Sequence, residues 1–207
     1  ILHSNNGSDT TQEVAAEFGV IKILPKNTFT KDHYDFKGWS NSPSNHNVIY
    51  ADEDMVKVNH PEVIGGNILN LYAVWEIQKY TVEFVNGNET TTQTIEYGGT
   101  VQLPEAPDKV GYTFAGWYTE GGQQWQEETT VDQNIKLYAK YEPITYSIEF
   151  DGNGADNGNA MDSSKLDVKY NEQATLPENL FTKKYHTFKG WSTTQNGEVT
   201  FIDQANV

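Results

Sequence analysis

Tyr112-Thr113-Phe114-Ala115-Gly116-Trp117-Tyr118 decides the reading of this chain, because the same block occurs three times. The other copies are Tyr34-Asp35-Phe36-Lys37-Gly38-Trp39-Ser40 and His186-Thr187-Phe188-Lys189-Gly190-Trp191-Ser192. Each follows a Leu-Pro pair, Leu24-Pro25, Leu103-Pro104 or Leu176-Pro177, with Pro and Trp 14, 13 and 14 positions apart. Self-similarity at a fixed period marks a repeat architecture. Upstream of each Leu-Pro pair lies a matching turn: Glu17-Phe18-Gly19, Glu96-Tyr97-Gly98 and Lys169-Tyr170-Asn171.

Two further segments delimit the unit. Tyr80-Thr81-Val82-Glu83-Phe84 matches Tyr146-Ser147-Ile148-Glu149-Phe150, with the alternation of a half-buried strand. Leu71-Tyr72-Ala73-Val74-Trp75-Glu76 matches Leu137-Tyr138-Ala139-Lys140-Tyr141-Glu142. The organisation expected is therefore repeat one over 1–77, repeat two over 78–143 and repeat three over 144–207. Repeat one has a truncated first strand, with residues 1–7 aligned on 148–154, and an insertion over 41–70. Repeat two is complete, and repeat three lacks its last strand, so the outer repeats are each expected to miss an edge strand. The chain is expected to be a piece of a longer array or of a larger protein. Joints of two or three residues, Ile77-Gln78 and Pro143-Ile144-Thr145, cannot act as flexible tethers. They predict an elongated, stiff array in which each repeat touches mainly its neighbours.

Phe and Trp in the block are three apart, so a regular strand would point them to opposite faces. The Gly between them is expected to bend the strand or to admit another backbone. The recurring Trp39, Trp117 and Trp191 read as core residues, since large aromatics dominate small cores; sugar stacking on an exposed indole is the rival. The Leu-Pro pair reads as a strand end, and Tyr97-Gly98-Gly99 as a turn needing positive φ.

Composition removes several functions. The 207 residues carry a net charge of -15, and all fourteen basic residues are Lys. A nucleic-acid partner needs a basic patch, as does an anionic membrane surface, so neither is expected. Strong acidity confers solubility and self-repulsion, and predicts a monomer. There is no Cys, which removes thiol catalysis, disulfides and Cys-type zinc sites. No run approaches the ~20 apolar residues of a membrane span.

The chemical candidates are few. Asp151-Gly152-Asn153-Gly154-Ala155-Asp156-Asn157-Gly158-Asn159 faintly resembles a calcium loop, but Ala155, Asp156 and Asp162 fall where an oxygen ligand, a Gly and a Glu are needed. It reads better as a hairpin loop. Asp52-Glu53-Asp54 reads as a solvated charge run. His3, His33, His46, His60 and His186 show no metal-ligand spacing. No nucleophile elbow, phosphate loop or catalytic carboxylate pair is present. No catalytic, cofactor-binding or metal residue is assigned, no cofactor is expected, and the chain is read as not an enzyme.

The strand start at Tyr80, the turn at Tyr97, residues 111–119 and Leu137-Tyr138-Ala139 together resemble the Listeria–Bacteroides repeat, the internalin-type B-repeat, over essentially the whole chain. The resemblance implies a mainly β (α+β) fold of three tandem small β-grasp-like repeats, with a short helical or irregular crossover at 104–110. It also implies an extracellular bacterial location, at the cell surface or wall, and partners that are neighbouring domains of one surface protein. It brings no catalytic residues. Two roles stay open: a stalk or spacer, and an adhesion module for host protein or glycan. The second would use residues 41–70 or exposed aromatics such as Tyr118. A repeat appended to a secreted hydrolase is a third.

Overall fold

The computed structural model describes residues 1–58, 68–158, 160–161 and 165–207. Regular elements among them are all strands: β1 (Leu2–His3), β2 (Thr11–Gln12), β3 (Ile21–Ile23), β4 (Tyr34–Ser40), β5 (Met55–Lys57), β6 (Leu71–Ile77), β7 (Lys79–Asn86), β8 (Glu89–Glu96), β9 (Tyr112–Thr119), β10 (Ile135–Pro143), β11 (Thr145–Ile148) and β12 (Leu166–Lys169). Of the two crossovers considered, the irregular one is adopted, since residues 104–108 carry no regular structure. Pro104 and Pro107 explain this: neither offers an N–H, and each biases its predecessor away from helix.

Repeats one and two build sheets of the same order, β2-β1-β6-β4 and β8-β7-β10-β9. β1 pairs antiparallel with β2 and parallel with β6, and β6 pairs antiparallel with β4. The first and last strands of a unit are thus its two central strands. The expectation that the first and last strands of a unit are edge strands is corrected: both lie at the centre of its sheet. In repeat three the hairpin β11–β12 stands as two strands, and residues 186–192 form no strand beyond a bridge from Trp191 to Phe201. In the other repeats this block draws its ladder from β6 or β10.

The block solves its facing problem with a β-bulge. The β4–β6 register shifts between Phe36 and Gly38, and the β9–β10 register shifts between Lys140 and Tyr141. One extra residue rotates the following side chains to the other face, so Phe and Trp meet edge to face. Their centroids are 5.0 Å apart for Phe36–Trp39, 5.8 Å for Phe114–Trp117 and 5.0 Å for Phe188–Trp191. Gly38 and Gly190 also serve the second expected purpose. Their φ values are 143° and 141°, and a Cβ would lie 2.6 Å from the Tyr50 carbonyl oxygen or 2.5 Å from that of Phe201. These carbonyls accept the Trp39 and Trp191 N–H groups at 2.8 and 2.7 Å. Bend and close approach are one device.

Trp39 and Trp117 are buried, as a core role requires. Trp39 lies with Leu2, Leu24, Val56, Leu71 and Ala73 in one cluster. Trp191 is half-buried among Phe150, Phe181 and Phe188. The chain forms two compact units: residues 1–83 with 90–102 and 126–136, and residues 84–89 with 103–125 and 137–207. Repeat two contributes residues to both.

Two details of the alignment change. Asn5, with φ 45°, donates to the Pro43 carbonyl at 3.2 Å, and Asn153, with φ 46°, donates to Gln195 at 2.8 Å. Both acceptors lie four residues after a block Trp. Asn5 therefore matches Asn153, and Leu2 occupies the place of Phe150, one residue away from the expected pairing of 1–7 with 148–154. The insertion at 41–70 also shrinks. Residues 55–57 are strand β5 against β3, Val56 is core, and Asp52 Oδ1 accepts the Asn27 N–H at 2.8 Å. Repeat three does the same with Asp203 and Asn179 at 2.9 Å. Residues 41–58 thus belong to the repeat. The surplus length lies in 59–70, of which 59–67 are outside the described residues.

Truncating Trp117 to Ala should lower the stability of the unit that holds it by roughly 3–5 kcal/mol, as deleting a buried aromatic does. Denaturant unfolding followed by near-ultraviolet circular dichroism measures this; wild-type stability would contradict the core assignment. Gly38→Ala should destabilise by about 2 kcal/mol or more, from positive φ and overpacking together. A thermal melt reads that loss.

Candidate functional site

The feature that recurs outside the cores is the joint between repeats. In each unit a four-residue turn precedes the block: Tyr34, Tyr112 and His186 donate their N–H to Lys31, Lys109 and Lys183. The last residue of the turn before the block is left-handed in all three, His33 (φ 63°), Gly111 (φ 78°) and Tyr185 (φ 62°). Onto this position comes the turn aromatic of the following repeat. The Tyr97 ring stacks on the His33 imidazole, with centroids 3.5 Å apart and planes 7° from parallel. At the second joint Gly111 clears the space instead. A Cβ on it would lie 2.2 Å from Cγ of Tyr170, so that ring rests against backbone.

Hydrogen bonds repeat with the stacking. Gln78 N–H donates to the His33 carbonyl at 2.9 Å, and Tyr97 N–H donates to the Gln78 carbonyl at 2.8 Å. Ile144 N–H donates to Gly111 at 2.9 Å, and Tyr170 N–H to Ile144 at 2.9 Å. The connector residue is therefore pinned on both sides at both joints. The Gln78 side chain adds a bond to each neighbour, donating to Asp35 at 3.2 Å and accepting from Tyr80 at 3.1 Å. The same two positions at the ends of the series, Phe18 and Tyr185, are 83% and 91% exposed.

Charge lies across the first joint. Lys37 meets Glu76 at 3.0 Å, and Lys79 meets Glu76 at 3.7 Å and Glu96 at 3.8 Å. The Glu76 carboxyl is held below the usual carboxylate range, first by the hydrogen bond from Lys37, then by the charges of Lys37 and Lys79. These groups are exposed, so the contribution is small and screened by salt.

The other candidates make contacts within the fold. Asp151 Oδ1 accepts the Asn153 N–H at 2.7 Å, Asp156 accepts the Lys184 N–H, and Asn157 donates to Leu180 and accepts from Thr182. The loop clamps residues 180–184; Asn159 and Asp162 lie outside the described residues. The solvated-run reading of Asp52-Glu53-Asp54 is corrected for Asp52, which is half-buried and caps Asn27, while Glu53 and Asp54 are exposed. Among the described residues no His/Asp/Glu cluster is placed to hold a metal, and His60 lies outside them. Tyr118, expected to be exposed, is half-buried with the Lys140 ammonium 4.8 Å above its ring. A shallow cleft of about 380 Å³ in repeat one is floored by the stacked pair His3–Tyr72, 4.4 Å apart. The joint was invisible from spacing alone, although the aromatic of each turn and the connector length were both in view.

Strand-centred repeats sealed by a shared stacking position and a pinned connector define a tandem β-repeat protein. The chain belongs to the Listeria-Bacteroides repeat domain family, whose model matches residues 1–73, 80–140 and 146–207. It is 34% identical over 200 residues to a protein of Evansella cellulosilytica named "Putative Gly-rich membrane protein", covering 92% of this chain and 21% of that one. It is 30% identical over 160 residues to Internalin H of Listeria monocytogenes, covering 70% of this chain and 28% of that one. The chain thus spans less than a third of these relatives.

Gly111→Ala should displace the Tyr170 ring and weaken the Ile144 hydrogen bond, because positive φ and steric overlap act together. Ring-current-shifted signals of Tyr170 and Tyr112, 5.5 Å apart, should move, while Phe84 and Trp117 signals stay. The ion pairs at the first joint have a definite sign. A carboxyl with a depressed folded pKa contributes stability above its unfolded value and loses it as pH falls through the folded one. Acidification through the carboxylate range should therefore loosen the Tyr97 amide, more weakly at high salt; unchanged exchange would remove the charges from the account.

Proposed function

We propose that this chain is a non-catalytic repeat region of a bacterial cell-envelope protein, acting as a stalk or spacer that carries other domains. The observation that supports this best is the joint: two boundaries use one stacking position and one doubly bonded connector, which is a design for transmitting position. The names of the relatives support an envelope location, with one described as a membrane protein and one as an internalin. A net charge of -15 keeps copies apart.

An adhesion role for glycan or host protein is the second reading, and the surplus length at 59–70 in repeat one favours it. The two separate cleanly. A spacer at micromolar concentration should show no saturable binding to glycan arrays or to host cell-surface proteins, and should sediment as a monomer. Saturable binding lost on deleting residues 59–67, with the melting temperature nearly unchanged, would replace the spacer with the adhesion module. Shortening a loop is thermodynamically mild, since closure entropy varies with the logarithm of length.

A further inference from the structure

In repeat one the first strand, β1, runs parallel to the last, β6. Repeat two has the same strand order, with β7 beside β10 at the centre of the sheet. Thr81 N–H donates to Asn134 Oδ1 at 2.8 Å, and Lys136 meets Glu83 at 2.9 Å. A step forward from 81 to 83 on β7 is matched by a step forward from 134 to 136 beside it, the sense of a parallel pair. We propose that this pair is a mechanical clamp, and that the repeat bears tension applied along the chain. The proposal deepens the stalk reading and rests on it.

The direction of force decides how the sheet yields. Tension enters repeat two at Lys79, the first residue of β7, and leaves at Pro143, the last residue of β10. Pulling the start of one strand against the end of its parallel neighbour slides the two past each other. All the evenly spaced bonds of a parallel ladder then carry the load together. Two antiparallel neighbours with their loaded ends side by side would instead lose their bonds one at a time. Sliding also drags apolar side chains toward water, which costs free energy in proportion to the area exposed. Val82 and Phe84 on β7 and Leu137 on β10 are all buried. Residues 87–134 lie between the two strands in sequence, so they stay off the path of force while the clamp holds.

The joints deliver tension without slack. One residue, Gln78, separates β6 from β7, and one, Ile144, separates β10 from β11. Each is hydrogen-bonded through both its N–H and its carbonyl. Tension leaving the last strand of one unit therefore passes directly into the first strand of the next.

The test is single-molecule pulling of the full chain in two directions. The chain has no Cys, so paired Cys substitutions fix the points of attachment. Lys79→Cys with Glu142→Cys shears β7 against β10. Val110→Cys with Glu142→Cys separates β9 from β10 at the end where Tyr112 faces Pro143. Lys79, Val110 and Glu142 are exposed, so neither pair removes a packed side chain. At equal force, repeat two should unfold about tenfold or more slowly under shear, because several ladder bonds must break together. Equal rates in the two directions, or faster unfolding under shear, would overturn the clamp. The ratio of rates does not depend on ligand binding, so its failure and that of the stalk reading are separate results.

Discussion

Everything in this molecule hangs on a Trp being turned back onto its own strand. The bulge between Phe36 and Gly38, matched opposite Lys140 in the next sheet, places two large aromatics on one face within three residues. A unit of this size has little aliphatic material to bury, so an aromatic pair supplies the core. The glycine that permits the bulge also lets the next segment approach. Tyr50 and Phe201 bond back to Trp39 and Trp191 across Cβ-free space. A side chain at Gly38 or Gly190 would break the bend, the close approach and the core together.

Above that level the repeats act on one another through the joint. A connector of one residue can hinge if its amide and carbonyl are free. Gln78 and Ile144 have neither free, because the preceding repeat accepts from the N–H and the following repeat donates to the carbonyl. The left-handed residue before the block takes two chemically different forms. His33 offers a ring to stack on, and Gly111 offers clearance. Both solutions bring the incoming tyrosine to the same place in the joint.

Much of this was legible in the sequence, and the limits are instructive. The threefold block, the Leu-Pro pair and the short connectors identified the repeats because spacing is a one-dimensional property. The dual use of the glycine was anticipated as two alternatives and turned out to be one device. Strand order was not legible: pairing the first and last strands at the sheet centre is a non-local fact. Aligning 1–7 on 148–154 slipped by one because Leu2 replaces a Phe and no alternation surrounds so short a strand. The insertion was over-drawn since Trp39 and Leu71 bracket residues 41–58, whose capping by Asp52 recurs only as Asp203 in repeat three. Stacking of Tyr97 on His33 pairs residues from different repeats, and no local pattern reports that.

The central claim is that the connectors are fastened as firmly as the sheets they join. Native-state hydrogen exchange of the unmodified chain tests it most directly, since opening free energies separate fraying segments from cooperative units. The account predicts that the amides of Gln78, Tyr97, Ile144 and Tyr170 exchange as slowly as those of the β4–β6 and β9–β10 ladders. Exchange of these four at the rate of an open loop, with the ladders still protected, would contradict it.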